Sequence, residues 1–322
     1  MKRLLTGVAI LGLGLGVGLA SAQVKVDPSI TGYQKVSGVS GNLNSVGSDT
    51  MNNLMTLWAE AFLKMYPNVK LQVEGKGSST APPALIAGTA QFGPMSRAMR
   101  ATEIDQFESK YGYKPTQLRT SYDALAVYVN KDNPLTKLTL AQVDAVFSKT
   151  RRRGSKANVT TWGQLGLTGD WASRPVSLYG RNSASGTYGF FKEHALGNGD
   201  YKDQVKEQPG SASVVQGVTE DRFGIGYSGI GYKTSGVKVV ALAEKEGSAY
   251  SDGSYDDVKS DKYPLHRFLY LYINRAPGKP LDPVVKEFCK LIFSKEGQEV
   301  VLKDGYLPVT PEIAKQELAK LE

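Results

Sequence analysis

Cysteine and histidine are nearly missing: Cys289 is the only thiol, and His194 and His266 the only imidazoles, in 322 residues. One cysteine excludes an intramolecular disulfide, so the fold must be held by its core alone. Cys289 sits in the apolar-periodic stretch Val284–Phe293, where a buried, inert thiol is expected. Two histidines with no close His, Asp or Glu spacing give no convincing metal-ligand set. They also offer little base catalysis, since His194 falls on a helical stretch and His266 on an apolar strand. Gly226-Tyr227-Ser228-Gly229 is half a nucleophile elbow without the G-x-S-x-G spacing, which argues against a secreted hydrolase. Gly75-Lys76-Gly77-Ser78-Ser79 likewise lacks the spacing of a nucleotide P-loop. Aromatics fall at buried-looking positions, not interleaved with basic residues, so nucleic-acid binding is not expected.

Long apolar runs are also missing beyond the start of the chain. Lys2 and Arg3 precede an apolar run from Leu4 to Leu19, and Ala20-Ser21-Ala22 follows. That order predicts a signal peptide over residues 1–22, with export to the periplasm. No later run approaches the roughly 20 apolar residues of a membrane span, so the exported chain is expected to be soluble. The formal net charge of +8 would help recruit an anion, but suits an acidic surface equally well.

Residues 23–42 show no helical period and read as an extended leader. From Leu43 onward the pattern is strand, turn, helix, repeated. Strands are expected at 43–46, 69–74, 91–94, 176–179 and 223–227. Helices are expected at about 50–66, 140–147, 187–196, 214–219, 282–293 and 295–303. Pro82 and Pro83 fit only the first turn of a helix. Alternating strands and helices imply an α/β fold with mainly parallel sheets. The two long apolar strands, Ser121–Asn130 and Leu265–Asn274, read as crossings between two lobes. Lobe I would then combine residues 43–125 and 262–322, and lobe II residues 126–261. Arg151-Arg152-Arg153-Gly154 reads as a solvated loop.

Several turns share one design. Gly47-Ser48-Asp49-Thr50, Gly75–Thr80 and Arg181-Asn182-Ser183-Ala184-Ser185-Gly186-Thr187 each end a strand and open a helix. Gly93-Pro94-Met95-Ser96-Arg97 ends a strand with a hydroxyl beside a cation. A helix N-terminus carries unpaired N–H groups and a partial positive charge. Glycine allows close approach, and Ser or Thr adds hydroxyl donors. Such ends converging between lobes would surround a tetrahedral oxyanion, with Arg181 supplying a charged fork.

Arg181-x-x-x-Ser185-Gly186-Thr187, with Gly77-Ser78-Ser79 and the early Gly-Ser-Asp-Thr, resembles the phosphate-binding proteins of bacterial high-affinity phosphate ABC importers. Trp162-Gly163-Gln164-Leu165-Gly166, Asp132-Asn133-Pro134-Leu135 and Gly305-Tyr306-Leu307-Pro308 extend the likeness over nearly all of residues 43–310. The resemblance implies a two-lobed type II periplasmic-binding fold, a monomer, no enzyme activity and no cofactor. It also implies inorganic phosphate as ligand and a transmembrane permease as partner. By motif, Arg181, Ser185, Gly186 and Thr187 would bind from lobe II, and Ser48, Thr50, Ser78 and Ser96 from lobe I. Better-known members carry Asp directly after the residue that Ser96 matches, where this chain has Arg97. A carboxylate there accepts the proton that hydrogen phosphate carries and sulfate lacks. Asp49 is the expected substitute, with Arg97 adding charge or pairing with it. Sulfate, molybdate or tungstate remains the competing ligand class.

Overall fold

A computed structural model describes residues 24–322. The expected signal peptide lies outside the described residues. The first third alternates β1 (Gly41–Gly47), α1 (Asn52–Met65), β2 (Val69–Gly75), α2 (Ala81–Ala87), β3 (Phe92–Met95), α3 (Ala101–Tyr111) and the long β4 (Thr116–Asn130). The middle carries β5 (Lys137–Thr139), α4 (Leu140–Phe147), β6 (Ser177–Arg181), α5 (Gly186–His194), β7 (Lys206–Gln208), α6 (Ser211–Glu220) and β8 (Gly224–Gly229). The chain closes with β9 (Val237–Val239), β10 (Ala241–Ala243), α7 (Tyr255–Lys259), β11 (His266–Ile273), α8 (Pro283–Ile292), α9 (Lys295–Lys303) and α10 (Pro311–Ala319).

The main sheet runs β2-β1-β3-β11-β4-β8-β6-β7, with β9 also on β4. At its outer parts β1 is parallel to β2 and β3, and β6 is parallel to β7 and β8. The two long apolar strands depart from that rule. β11 is antiparallel to β3 and β4, and β4 is antiparallel to β8. β4 is 15 residues long and changes partner partway: residues up to Ala124 pair with β11, and Leu125–Val129 pair with β8. One strand therefore threads both halves of the sheet.

Each half has helices on its faces. The row Leu54, Met55, Trp58 and Phe62 of α1 is fully buried, as its helical spacing requires. Each such side chain contributes about 1.5–3 kcal/mol of burial. Phe62 meets Phe288 of α8 edge-on, with ring centroids 5.3 Å apart. The Trp58 indole donates to the Gly297 carbonyl at 2.8 Å, so α1 is pinned to the C-terminal helices. Pro82 and Pro83 do stand in the first turn of α2. Residues 24–40 form neither helix nor strand, and β1 begins two residues inside the stretch expected as a leader; Ile30 and Val39 of that stretch are buried. No helix of the described residues is long and apolar enough to cross a membrane.

Candidate functional site

The three Gly/Ser/Thr turns and the Ser96 turn do meet, at the ends of β1, β2, β3 and β6. Ser78 and Ser96 share a hydrogen bond between hydroxyls at 3.2 Å, and Ser96 N–H donates to Ser78 Oγ at 3.0 Å. Thr187, from the other half of the sheet, lies 2.9 Å from Thr50 and 3.5 Å from Ser96, each hydroxyl to hydroxyl. All four are at most 1% exposed. Glycine is needed for this approach. A Cβ on Gly186 would fall 2.3 Å from Ser78 Oγ and 2.7 Å from Ser96 Oγ. Gly77 has φ +122°, and a Cβ there would strike the Ala184 carbonyl at 2.5 Å.

Arg181 ends β6 and is 1% exposed. Its Nη1 donates to Ser211 Oγ at 2.7 Å, and its Nη2 donates to the Pro209 carbonyl and pairs with Asp49 Oδ1, both at 3.1 Å. Burial lowers the guanidinium pKa, and the neighbouring Asp49 charge opposes that shift. Arg181 Nε and Ser48 Oγ are buried without a hydrogen-bond partner among the described residues. Ser185 acts locally: its hydroxyl caps α5, accepting from Thr187 N–H at 3.1 Å and Tyr188 N–H at 3.4 Å.

Asp49 and Arg97 do not meet. Arg97 turns away from the hydroxyls and forms a two-pronged pair with Glu103, at 2.7 and 2.6 Å. Glu103 lies one turn into α3, where it also accepts the Arg100 N–H at 2.8 Å. A fork-on-carboxylate geometry outcompetes a single contact to Asp49. The expectation that Arg97 pairs with Asp49 or adds charge to the hydroxyl cluster is therefore corrected. Asp49 Oδ1 instead accepts from Arg181 and from Ser211 N–H, the latter at 2.7 Å. It thus satisfies the first N–H of α6 across the two halves of the sheet.

A second guanidinium takes the place expected for Arg97. Arg267 of β11 is 5% exposed and donates to Thr187 Oγ1 at 3.0 Å and to the Ser96 carbonyl at 2.8 Å. Its counter-charge is Asp123 of β4, fully buried, at 2.7 and 2.8 Å. Asp123 Oδ1 also accepts the Ile230 N–H at 3.0 Å. Two charges are costly inside a core unless paired in this way. A signal for the pair does exist in the sequence: one Asp inside SYDALAVYVN and one Arg inside LHRFLYLYIN, the two longest apolar strands. They are direct cross-strand partners in the β4–β11 ladder.

Four linked hydroxyls, with Arg267 bonded to one of them, thus meet between two α/β halves, and Arg181 is tied to the same first turn through Asp49. A family model described as a PBP superfamily domain matches residues 34–296. The chain belongs to that superfamily. It is 59% identical over 302 residues to the phosphate-binding protein PstS of Pseudomonas aeruginosa, covering 94% of each chain. It is 25% identical to protein SphX of Synechococcus elongatus, over 88% of this chain and 82% of that one. Among solved structures it is similar to an ABC-type phosphate transport receptor from Vibrio cholerae, with a TM-score of 0.64 at 22% identity, over 83% of this chain and 100% of that one. At that identity the structural likeness is one of fold.

The PBP fold here is two-lobed, and β4 is the strand that pairs in both halves; β11, expected as a second crossing, pairs only with β3 and with the part of β4 up to Ala124. No group of three or more His, Cys, Asp or Glu that could hold a metal occurs among the described residues. His194 lies 4.0 Å from Glu193, and His266 is held by Tyr263 O and Asp261. Neither imidazole bonds a hydroxyl of the cluster, as an activated serine would require.

Proposed function

We propose that this chain captures inorganic phosphate between its lobes in the periplasm and presents it to the transmembrane permease of an ABC importer. Residues 43–125 with 262–322 form lobe I and residues 126–261 form lobe II; the partner change of β4 after Ala124 supports that division. The observation that carries the reading is the buried set of linked hydroxyls of Thr50, Ser78, Ser96 and Thr187, with Ser48 Oγ in the same turn as Thr50, and Arg181 Nε, both buried without a partner among the described residues. A buried donor left unpaired costs about 1–3 kcal/mol, and a tetrahedral anion would offer the missing acceptors. The identity to PstS supports phosphate as that anion.

In this reading Ser48, Thr50, Ser78, Ser96, Gly186 and Thr187 line the anion, and Arg181 and Arg267 supply its positive charge. Asp49 and Asp123 hold the two guanidiniums in place, and Ser185 holds the first turn of α5. Binding draws the lobes together, and the monomer releases phosphate to the permease on opening. No bond is made or broken in phosphate, so the chain acts as a carrier, not an enzyme.

Calorimetric titration of the purified exported chain with phosphate, sulfate and molybdate tests the proposal. Phosphate should bind one to one and more tightly than either competitor. Tighter binding of sulfate or molybdate would replace phosphate with that anion. Turnover of a chromogenic phosphate ester that survives purification would overturn the carrier reading altogether.

A further inference from the structure

A cavity of about 460 Å³ opens beside the start of β6, the strand that ends in Arg181. That volume falls inside the range of small-molecule sites, about 300–1,000 Å³. Leu178 lines it and precedes Arg181 by three residues, ~10 Å along a strand that rises about 3.3 Å per residue. The cavity shares no residue with the hydroxyl cluster. Val159, Pro175, Val176 and Leu178 give it an apolar wall. Lys149, Arg151 and Lys202 bring cations to it, and Asp203 is the one carboxylate. Asp203 stands in solvent, its side chain 83% exposed, and pairs with Lys149 at 2.9 Å. Arg151 and Lys202 are left without a counter-charge.

Lysine is almost never buried unless it is paired. Lys202 is 8% exposed and makes no ion pair among the described residues. Its Nζ donates to the Val159 carbonyl at 2.6 Å and to the Ala145 carbonyl at 3.0 Å. Ala145 lies in the last turn of α4, where the helix end favours a cation. An ammonium has three donors, so one N–H has no acceptor among the described residues. Burial, with the Arg151 charge beside it, lowers the Lys202 pKa to about 8. Arg151 has φ +48°, a left-handed conformation that costs a residue with a Cβ. Its loop is held in that shape by Arg151 N–H on Ser148 Oγ at 3.1 Å and Arg153 N–H on Asp144 Oδ2 at 2.6 Å. Backbone strain fixed in this way is characteristic of ligand sites.

We propose that this cavity binds a small monocarboxylate with an apolar body, its carboxylate on Lys202 and Arg151 and its body against Val159, Pro175, Val176 and Leu178. The carboxylate supplies the acceptor for the third N–H and the counter-charge that the buried ammonium lacks. An inorganic oxyanion would set oxygens against the apolar wall with no donor to meet them. A neutral ligand would leave both cations unanswered. The site is independent of the phosphate reading, and the two stand or fall separately.

The test titrates benzoate, with benzyl alcohol as its uncharged counterpart, into the exported chain by calorimetry, with and without saturating phosphate. Benzoate should bind one to one and about tenfold or more tighter than benzyl alcohol, the worth of a charge-assisted contact. Phosphate should not compete with it. Binding should take up about half a proton at about pH 8 and almost none at about pH 6, because the carboxylate raises a Lys202 pKa that starts at about 8. Repeating the titration in buffers of different ionisation heat reads that uptake. Arg151→Gly should weaken benzoate by about fivefold, the upper range for an exposed ion pair. Its fold should survive, since glycine adopts φ +48° freely. Lys202→Met should weaken benzoate by about tenfold or more. If that variant does not fold, the proton uptake and Arg151→Gly decide alone. The inference is overturned if benzoate does not bind, if benzyl alcohol binds as tightly, or if phosphate displaces benzoate. It is equally overturned if no proton is taken up at about pH 8, or if Arg151→Gly or a folded Lys202→Met binds benzoate unchanged.

Discussion

Replacing Asp49 by asparagine separates two roles that one carboxylate could have in an oxyanion site. As the acceptor for the proton of hydrogen phosphate, it would govern selectivity and leave sulfate unaffected by its loss. The structure gives Oδ1 other work: it holds Ser211 N–H at 2.7 Å and Arg181 Nη2 at 3.1 Å, both across the lobe boundary. The Asp49→Asn variant keeps the first bond through its amide oxygen and loses the charge on the second. A hydrogen bond to a charged group contributes about 1.5–3 kcal/mol. With the Asp49 side chain 22% exposed, the lower end applies, which is about a tenfold loss of affinity. The uncompensated Arg181 attracts any anion more strongly, so that gain falls on phosphate and sulfate alike. Titration with both anions, at one pH on each side of the second ionisation of phosphate, should show parallel weakening and an unchanged ratio. A ratio that moves against phosphate by about tenfold would make Asp49 the proton acceptor. Unchanged affinity for both would remove it from lobe closure.

Arg267→Met should cost about 3–5 kcal/mol in urea unfolding, because Asp123 is left buried and unpaired; adding Asp123→Leu should recover most of it, and no recovery would refute the pairing argument. Gly186→Ala should lower phosphate affinity by about ten- to a hundredfold with a small change in Tm, since its Cβ would meet Ser78 Oγ at 2.3 Å and overpacking costs about 1–3 kcal/mol; unaltered affinity would show that the lobes need not approach so closely. Burial raises the Asp304 carboxyl from its ordinary value to about 6. Its ionisation therefore opposes folding, and stability present at about pH 4 is lost as pH rises through 6, by up to about 3 kcal/mol. Asp304→Asn should flatten that slope between about pH 4 and 8 in urea titrations, and equal slopes would exclude Asp304 as its source.

The chain order of strands and helices is legible because each element announces itself locally. Strands end at Gly-Ser turns, and α1 carries a helical apolar row closed by Pro67. α3 gives no such sign because Phe107 is its one fully buried side chain, too little to set a period. α10 buries only Ile313, Ala314 and Glu317 and is silent for a similar reason. β4 begins at Thr116, five residues before the apolar run at Ser121, since its first part mixes polar and apolar residues. Within the site, the hydroxyls and Arg181 are readable because each stands in a turn motif. Arg97 misleads by its nearness in sequence to Ser96; Glu103, six residues on, decides where it points. Arg267 and Asp123 each stand out as a lone charge in an apolar strand, but which charge answers which is settled only once β4 and β11 are paired.

That pairing has a mechanical consequence. β4 runs unbroken from its ladder with β11 in one lobe into its ladder with β8 in the other, so the joint cannot open by melting without giving up those hydrogen bonds. Opening must then be an elastic twist, shared over many residues, and amide hydrogens along the crossing should be among the slowest in the molecule to exchange. Arg267 and Asp123 form one rung of that spring. Whatever pulls on Arg267 from the cluster is pulling on the spring itself.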